Sequence, residues 1–140
     1  MNAEYKDFIG VFSDVYPEGF CQHLISEFDR NQSLGAGTDR QNGEGVDKHR
    51  KDDYQIFSNG KNINFEPFNG KSTIDIFFHG LQNCFEEYGA EFSVIKSVKI
   101  NCNNMKMQKT SSGGGYHIWH GEQGNGDQAH RGLAYMLYLN

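Results

Sequence analysis

No run of apolar residues in this chain approaches the length needed to cross a bilayer. The opening Met1–Lys6 is polar and no apolar segment follows it, so neither a membrane span nor a secretory leader is expected. Cysteine is scarce: Cys21, Cys84 and Cys102 are odd in number, far apart and without a C-x-x-C pair. That pattern argues against a disulfide framework and for reduced thiols. Cys21 and Cys84 fall on apolar helix faces, where packing is the expected role. Clustered positive charge is also missing. The formal charge is -5, and the lysines are scattered from Lys6 to Lys109 rather than gathered into the basic stripe that nucleic acid requires. The one local cluster, His49-Arg50-Lys51, reads as a solvated loop. The expectation is a soluble, cytoplasmic protein with neither membrane nor nucleic acid as partner. Its 140 residues suit one domain with a real core.

What is present divides by period. Asp7–Val15 predicts a short strand ending at a Ser-Asp turn. Tyr16-Pro17-Glu18 has the proline and the acid of a first helical turn. Phe20, Cys21, Leu24, Ile25 and Phe28 then recur at helical spacing, so the helix should run to about Arg30. His23 falls off that stripe and reads as a surface histidine. Asn31–Asp53 has almost no apolar residue and reads as a long mobile loop, a lid or a disordered segment. Tyr54–Phe57 predicts a short strand. Ile74, Phe77, Phe78, Leu81, Cys84, Phe85 and Tyr88 predict a helix over Ser72–Tyr88, capped by Ser72 or Thr73 and stopped by Gly89. His79 stands between buried positions of that helix and reads as a structural histidine.

From Phe92 the period changes to two. Val94, Lys96, Val98, Ile100 and Cys102, then Met105, Met107 and Lys109, predict a hairpin. Tyr116–Glu122 predicts a further strand after the glycines Gly113–Gly115. A polar loop, Gln123–Ala129, leads to a last strand at Arg131–Asn140, with Leu133, Tyr135, Leu137 and Leu139 on one face. Helices first and strands after suggest α+β, with the amino-terminal helices (1–92) packed on one sheet built from 93–140.

The chemistry concentrates in Gly113-Gly114-Gly115-Tyr116-His117-Ile118-Trp119-His120-Gly121-Glu122. On an extended strand, positions i and i+2 share a face, so the imidazole of His120 and the carboxylate of Glu122 would converge on one volume. A divalent metal such as Fe(II) accepts that donor mixture, and a second histidine would complete a facial triad. His130, across the Gln123–Ala129 loop, is the candidate third ligand. His117 would need a bulge to turn inward, and His49 is more remote. Trp119, Tyr116 and Arg131 are candidates for a substrate pocket, with a packed core indole the competing role for Trp119. A zinc-only site of His117, His120, Glu122 and His130 matches no usual structural zinc spacing.

Taken together, Gln108, Gly113, Gly115, Tyr116, His117, Trp119, His120 and Glu122, followed by Arg131, Tyr138, Leu139 and Asn140, resemble the Fe(II)- and 2-oxoglutarate-dependent dioxygenases. The resemblance is to the prolyl-4-hydroxylase-like branch with its bacterial and phage members. The opening Asp7–Phe12 strand and the Pro17–Phe28 helix also look like that family. The resemblance implies a double-stranded β-helix (jelly-roll, cupin-like) core with His120 and Glu122 as iron ligands. It implies Fe(II) and 2-oxoglutarate as cofactors, with ascorbate as a candidate addition. The reaction would convert 2-oxoglutarate and dioxygen to succinate and carbon dioxide while hydroxylating a small molecule or a peptidyl, prolyl-like side chain. The family's distal histidine and its 2-oxoglutarate-anchoring basic residue lie beyond the Tyr138-Leu139-Asn140 segment. This chain is therefore expected to be an amino-terminal fragment of such an oxygenase. The alternative is a catalytically inactive partial jelly roll that binds or oligomerises, its terminal strand edge offered to another copy.

Overall fold

The computed structural model describes residues 1–39, 50–97, 99–102, 104–121 and 132–140. In chain order the elements are β1 (Asn2–Lys6), β2 (Ile9–Ser13), α1 (Phe20–Ser33), β3 (Thr38–Asp39), β4 (Lys51–Asp52), β5 (Tyr54–Phe57), α2 (Thr73–Glu91), a 3-10 turn at Ser93–Ser97, β6 (Lys106–Lys109) and β7 (Gly115–Tyr116). Among the described residues, two α-helices and three small antiparallel sheets make a mixed α and β architecture. Among the described residues the strands close no barrel, and no helix is long and apolar enough to cross a membrane. The chain falls into two compact units, Met1–Glu27 with Phe65–Asn103, and Phe28–Asn64 with Asn104–Asn140.

In the first unit, β1 and β2 form a hairpin whose register runs from Lys6↔Ile9 to Asn2↔Ser13. The turn needs Asp7 at a φ of +54°, a conformation that aspartate tolerates better than most residues. The expected single strand over Asp7–Val15 is thus the second arm of a hairpin. Its first arm alternates Ala3 and Tyr5 with Asn2, Glu4 and Lys6, a pattern too short and too weakly apolar to announce a strand. Tyr5 and Phe12 turn inward and meet edge to face at 6.1 Å, and Tyr5 meets Phe92 at 5.6 Å. The Tyr88 hydroxyl donates to the Phe8 carbonyl at 2.6 Å. On the other face Ile9 and Val11 are exposed.

Gly19, at a φ of +80°, excludes a right-handed helix at that position, so α1 starts at Phe20 rather than at Tyr16. The helix then continues past Arg30 to Ser33. Phe20 and Leu24 are fully buried. His23, expected on the surface, is half-buried between the rings of Phe20 and Phe68. The Thr73 hydroxyl donates to the Glu66 carbonyl at 2.6 Å, so its oxygen accepts from Nε2 of His23 at 2.8 Å. Glu27 receives the Glu66 amide at 2.8 Å. These contacts seat the segment before α2.

Ser72 caps α2, its side chain accepting the Asp75 amide, as expected. Gly89 does not stop the helix. It is buried inside α2, which ends at Glu91 with Phe92 donating back to Tyr88. His79 is exposed, against the expectation of a structural role between buried neighbours. The expected strand from Phe92 is also overturned. The chain stays coiled through Ser93–Ser97, held by Ile95 donating to Phe92 and by the Ser97 hydroxyl donating to Val94. Residues 99–102 carry no strand, and Val98 lies outside the described residues.

In the second unit β5 sits between β3 and β6, all antiparallel. Tyr54 pairs with Lys109 and Phe57 with Lys106. Phe28, Ala36, Ile56, Met105 and Met107 are its buried apolar residues. The Tyr54 ring meets Phe28 edge to face at 6.0 Å, and its hydroxyl donates to Ala36 at 2.8 Å. Asn31, fully buried, clamps residue 64 from both sides. Its amide nitrogen donates to the Asn64 carbonyl at 2.9 Å and its oxygen accepts the Asn64 amide at 3.1 Å. The polar stretch over Asn31–Asp53 is therefore structured at both ends, by the last turn of α1 with β3 and by β4. Its middle, 40–49, lies outside the described residues.

Candidate functional site

The site grows from the end of β6. After Lys109 the chain turns back on itself, with the Gly114 amide donating to Ser111 at 2.9 Å. A β-carbon at Gly114 would lie 2.9 Å from the Asp52 carbonyl and 3.1 Å from that of Ser111. Only glycine lets the turn approach the backbone of β4 so closely. Beyond it β7 pairs antiparallel with β4, Lys51 opposite Tyr116 and Asp52 opposite Gly115, and the His117 amide donates to Arg50 at 2.8 Å.

The expected strand over Tyr116–Glu122 ends at Tyr116. His120 therefore lies in irregular chain, and strand alternation is not what orients it. The chain instead folds its ring onto Tyr116, with the two centroids 3.7 Å apart and the planes within 9° of parallel. Nδ1 of His120 lies 3.3 Å from the Ile118 carbonyl. A carbonyl can only accept, so in this contact Nδ1 is the donor. Metal-ligating histidines use the same arrangement to fix ring orientation and tautomer.

The other face of the arrangement comes from β4. The Lys51 ammonium lies 4.9 Å from the centroid of the Tyr116 ring. It also lies 3.4 Å from Oδ2 of Asp53, a buried carboxylate that accepts a hydrogen bond from Nε2 of Gln108 on β6. A continuous line of contacts thus runs from Gln108 through Asp53, Lys51 and Tyr116 to His120. Lys51 is held among these groups, which corrects the reading of His49-Arg50-Lys51 as a solvated cluster. The signal available in the sequence was the opposite charge at i and i+2, Lys51 and Asp53, at the head of the Tyr54–Phe57 strand.

Of the expected site residues, the structure brings together Tyr116 and His120. Trp119 is fully exposed, so it is no core indole. His117 is exposed as well. Glu122, His130, Arg131 and His49 lie outside the described residues. Among the described residues no three His, Cys, Asp or Glu side chains gather closely enough to hold a metal. The expected terminal strand is also absent: residues 132–140 carry no regular structure, with Tyr135 donating to the Asn104 carbonyl at 3.2 Å. Compared with known proteins, the chain matches no family model, no curated protein and no solved structure.

Proposed function

We propose that the chain belongs to an Fe(II)- and 2-oxoglutarate-dependent oxygenase that hydroxylates a small molecule or a peptidyl, prolyl-like side chain. The observation that carries this reading is His120 at the exit of the glycine turn, followed by Glu122 two residues later. The ring of His120 stacks on Tyr116 while Nδ1 faces a carbonyl. An imidazole donor fits the chemistry of a borderline divalent metal, and a carboxylate is the natural second donor. Glu122 and His130 are the residues that would join His120 around the iron. When bound, Fe(II) with 2-oxoglutarate supplies the oxidant for an unactivated C–H bond.

The chain's own residues prepare that site. Tyr116 and the Ile118 carbonyl orient the His120 ring. The glycine turn brings both against β4. Trp119, fully exposed and next to His120 in the chain, would meet substrate. On this reading the antiparallel pairings β3-β5-β6 and β4-β7 are the described part of a double-stranded β-helix.

A second reading has its own observation. Met136 and Tyr138 are exposed at 76% and 77% in the 132–140 segment, beside Leu133 and Tyr135. Such residues suit a module that binds a partner or another copy rather than one that turns over substrate.

Anaerobic titration of the purified chain with Fe(II) and 2-oxoglutarate tests the choice. The oxygenase reading expects the weak visible charge-transfer band of the chelate, lost in His120→Ala and Glu122→Ala. Absence of both band and Fe(II) binding would sink it and leave the binding module.

A further inference from the structure

The geometry points to Lys51 as the residue that positions His120, acting through Tyr116 and anchored by Asp53. The inference rests on the reading of His120 as a metal ligand only for its purpose. The positioning itself stands on contacts.

An imidazole in irregular, exposed chain has several rotamers open to it, and a ligand so placed would spend most of its time misdirected. The parallel stack on Tyr116, at 3.7 Å, confines the ring together with the Nδ1 contact to the Ile118 carbonyl, and the stack confines it best where the Tyr116 ring is itself fixed. Tyr116 is 43% exposed and ends a strand of two residues, so its own packing does not fix it. What holds it is the residue opposite. Lys51 is its direct cross-strand partner, and such partners have their β-carbons close enough for side chains to touch. The ammonium sits over the tyrosine ring at 4.9 Å, within the range where a cation is attracted to an aromatic face.

A lysine is ordinarily too flexible to act as a fixed support. Here both the charge and the stem are confined. The Lys51 side chain is only 14% exposed and that of Asp53 is 1% exposed, with 3.4 Å between ammonium and carboxylate. Gln108 holds the same carboxylate oxygen from β6. The anchor therefore begins in the three-stranded sheet and ends at the imidazole. A purely structural role for the Lys51–Asp53 pair, tying β4 to β6, would leave the ring of His120 indifferent to the lysine.

Aromatic proton-carbon NMR of the full chain separates the two. In the wild type, the stack should move the His120 ring protons upfield of those of an unstacked, exposed histidine such as His79. Tyr116→Leu should abolish the displacement. Lys51→Met should lose most of it, and Lys51→Arg, which keeps a cation over the ring, should restore it. His120 signals unchanged in Lys51→Met, with the Gly115 amide showing β4 and β7 still paired, would overturn the proposal. If that amide shows the pairing lost, Asp53→Asn decides. It keeps the lysine but releases its anchor, so movement of the His120 signals toward the unstacked position supports the proposal and unchanged signals overturn it. Anaerobic Fe(II) titration of the same proteins should show affinity about tenfold weaker in Lys51→Met, the lower end of what losing an outer partner of a metal ligand costs. NMR shifts that depend on Lys51 in a chain that binds no Fe(II) would keep the positioning and remove the oxygenase reading.

Discussion

A β-carbon at Gly80 would lie 2.3 Å from Cε1 of Tyr16, because the tyrosine ring lies directly on the backbone of α2. The Tyr16 hydroxyl donates to the Phe77 carbonyl at 3.1 Å, and its ring lies 5° from parallel with that of Phe77. Alanine is the better helix former by about 1 kcal/mol, yet Gly80→Ala should destabilise the fold by about 1–3 kcal/mol, the usual cost of overpacking. Urea denaturation checks the sign. The double variant with Tyr16→Leu, which withdraws the ring, should recover part of the loss. Equal losses in single and double variants would mean the clash is not the cause.

Tyr16 also sets a pH limit. Burial, followed by the neighbouring Cys84 and Cys21 thiols, pushes its hydroxyl well above the ordinary value of 10.0. Burial, then Glu87 and Glu91, pushes Tyr5 in the same direction. Above pH 10 the unfolded chain releases these protons while the folded chain retains them, so the unfolded state binds fewer protons and stability falls as pH rises. The stabilisation is fully present below pH 10 and is lost as pH climbs through the folded values. Urea midpoints at pH 8 and 10.5 should differ, and Tyr16→Phe with Tyr5→Phe should flatten the difference. An unchanged pH slope in the double variant would assign the loss to other groups.

Asn31→Ala should cost about 1–3 kcal/mol, since it removes two part-buried hydrogen bonds to Asn64, whose carbonyl keeps Arg30 as a donor. Hydrogen exchange at the Asn64 amide reads the effect directly. Protection there that survives the substitution would show that the clamp is dispensable.

Gly114→Ala tests the turn that presents the site. The added carbon meets backbone oxygens of Asp52 and Ser111, which cannot swing aside as a flexible side chain would. The β4–β7 pairing should open, with loss of the Tyr116–His120 stack seen in the aromatic NMR spectrum. Circular dichroism should keep the helical signal of α1 and α2. An intact stack in this variant would show that the turn tolerates a side chain.

Ser72→Ala removes the acceptor of the Asp75 amide at the start of α2 and should cost about 1 kcal/mol. Ser72→Asp should restore most of it, because it keeps an acceptor at the positive end of the helix. Thermal unfolding of the three proteins gives the order.

The parts of this fold that were legible in the sequence are those where local chemistry and burial agree. Tyr54–Phe57 is a strand with the predicted bounds, and Ser72 caps the helix it was expected to cap. Misreadings arose where the backbone decides against the pattern. Val94 to Cys102 alternate like a strand, but the carbonyl of Phe92, just past α2, keeps the chain coiled by accepting from Ile95. Gly89 looked like a stop, yet Phe92 supplies the closing hydrogen bond to Tyr88 three residues later. At the site, the motif singled out His120 and Tyr116, whereas the reason they meet was not readable. Strand periodicity placed His120 beside Glu122, while the structure places it on Tyr116. The support from Lys51 and Asp53 depends on which strand stands opposite β7, and sequence alone does not supply that pairing.

Asp53 and Gln108 stand 55 residues apart, with the whole of α2 between them. Synthesised from its amino end, the chain has the carboxylate in place well before its amide partner exists. Each doubling of a loop adds only about 0.6 kcal/mol to the entropy of closing it, so the separation costs little stability. It costs time, since non-local strand pairings are the slow steps of folding. The Asp53–Gln108 contact behind Lys51 is therefore expected to form late in folding.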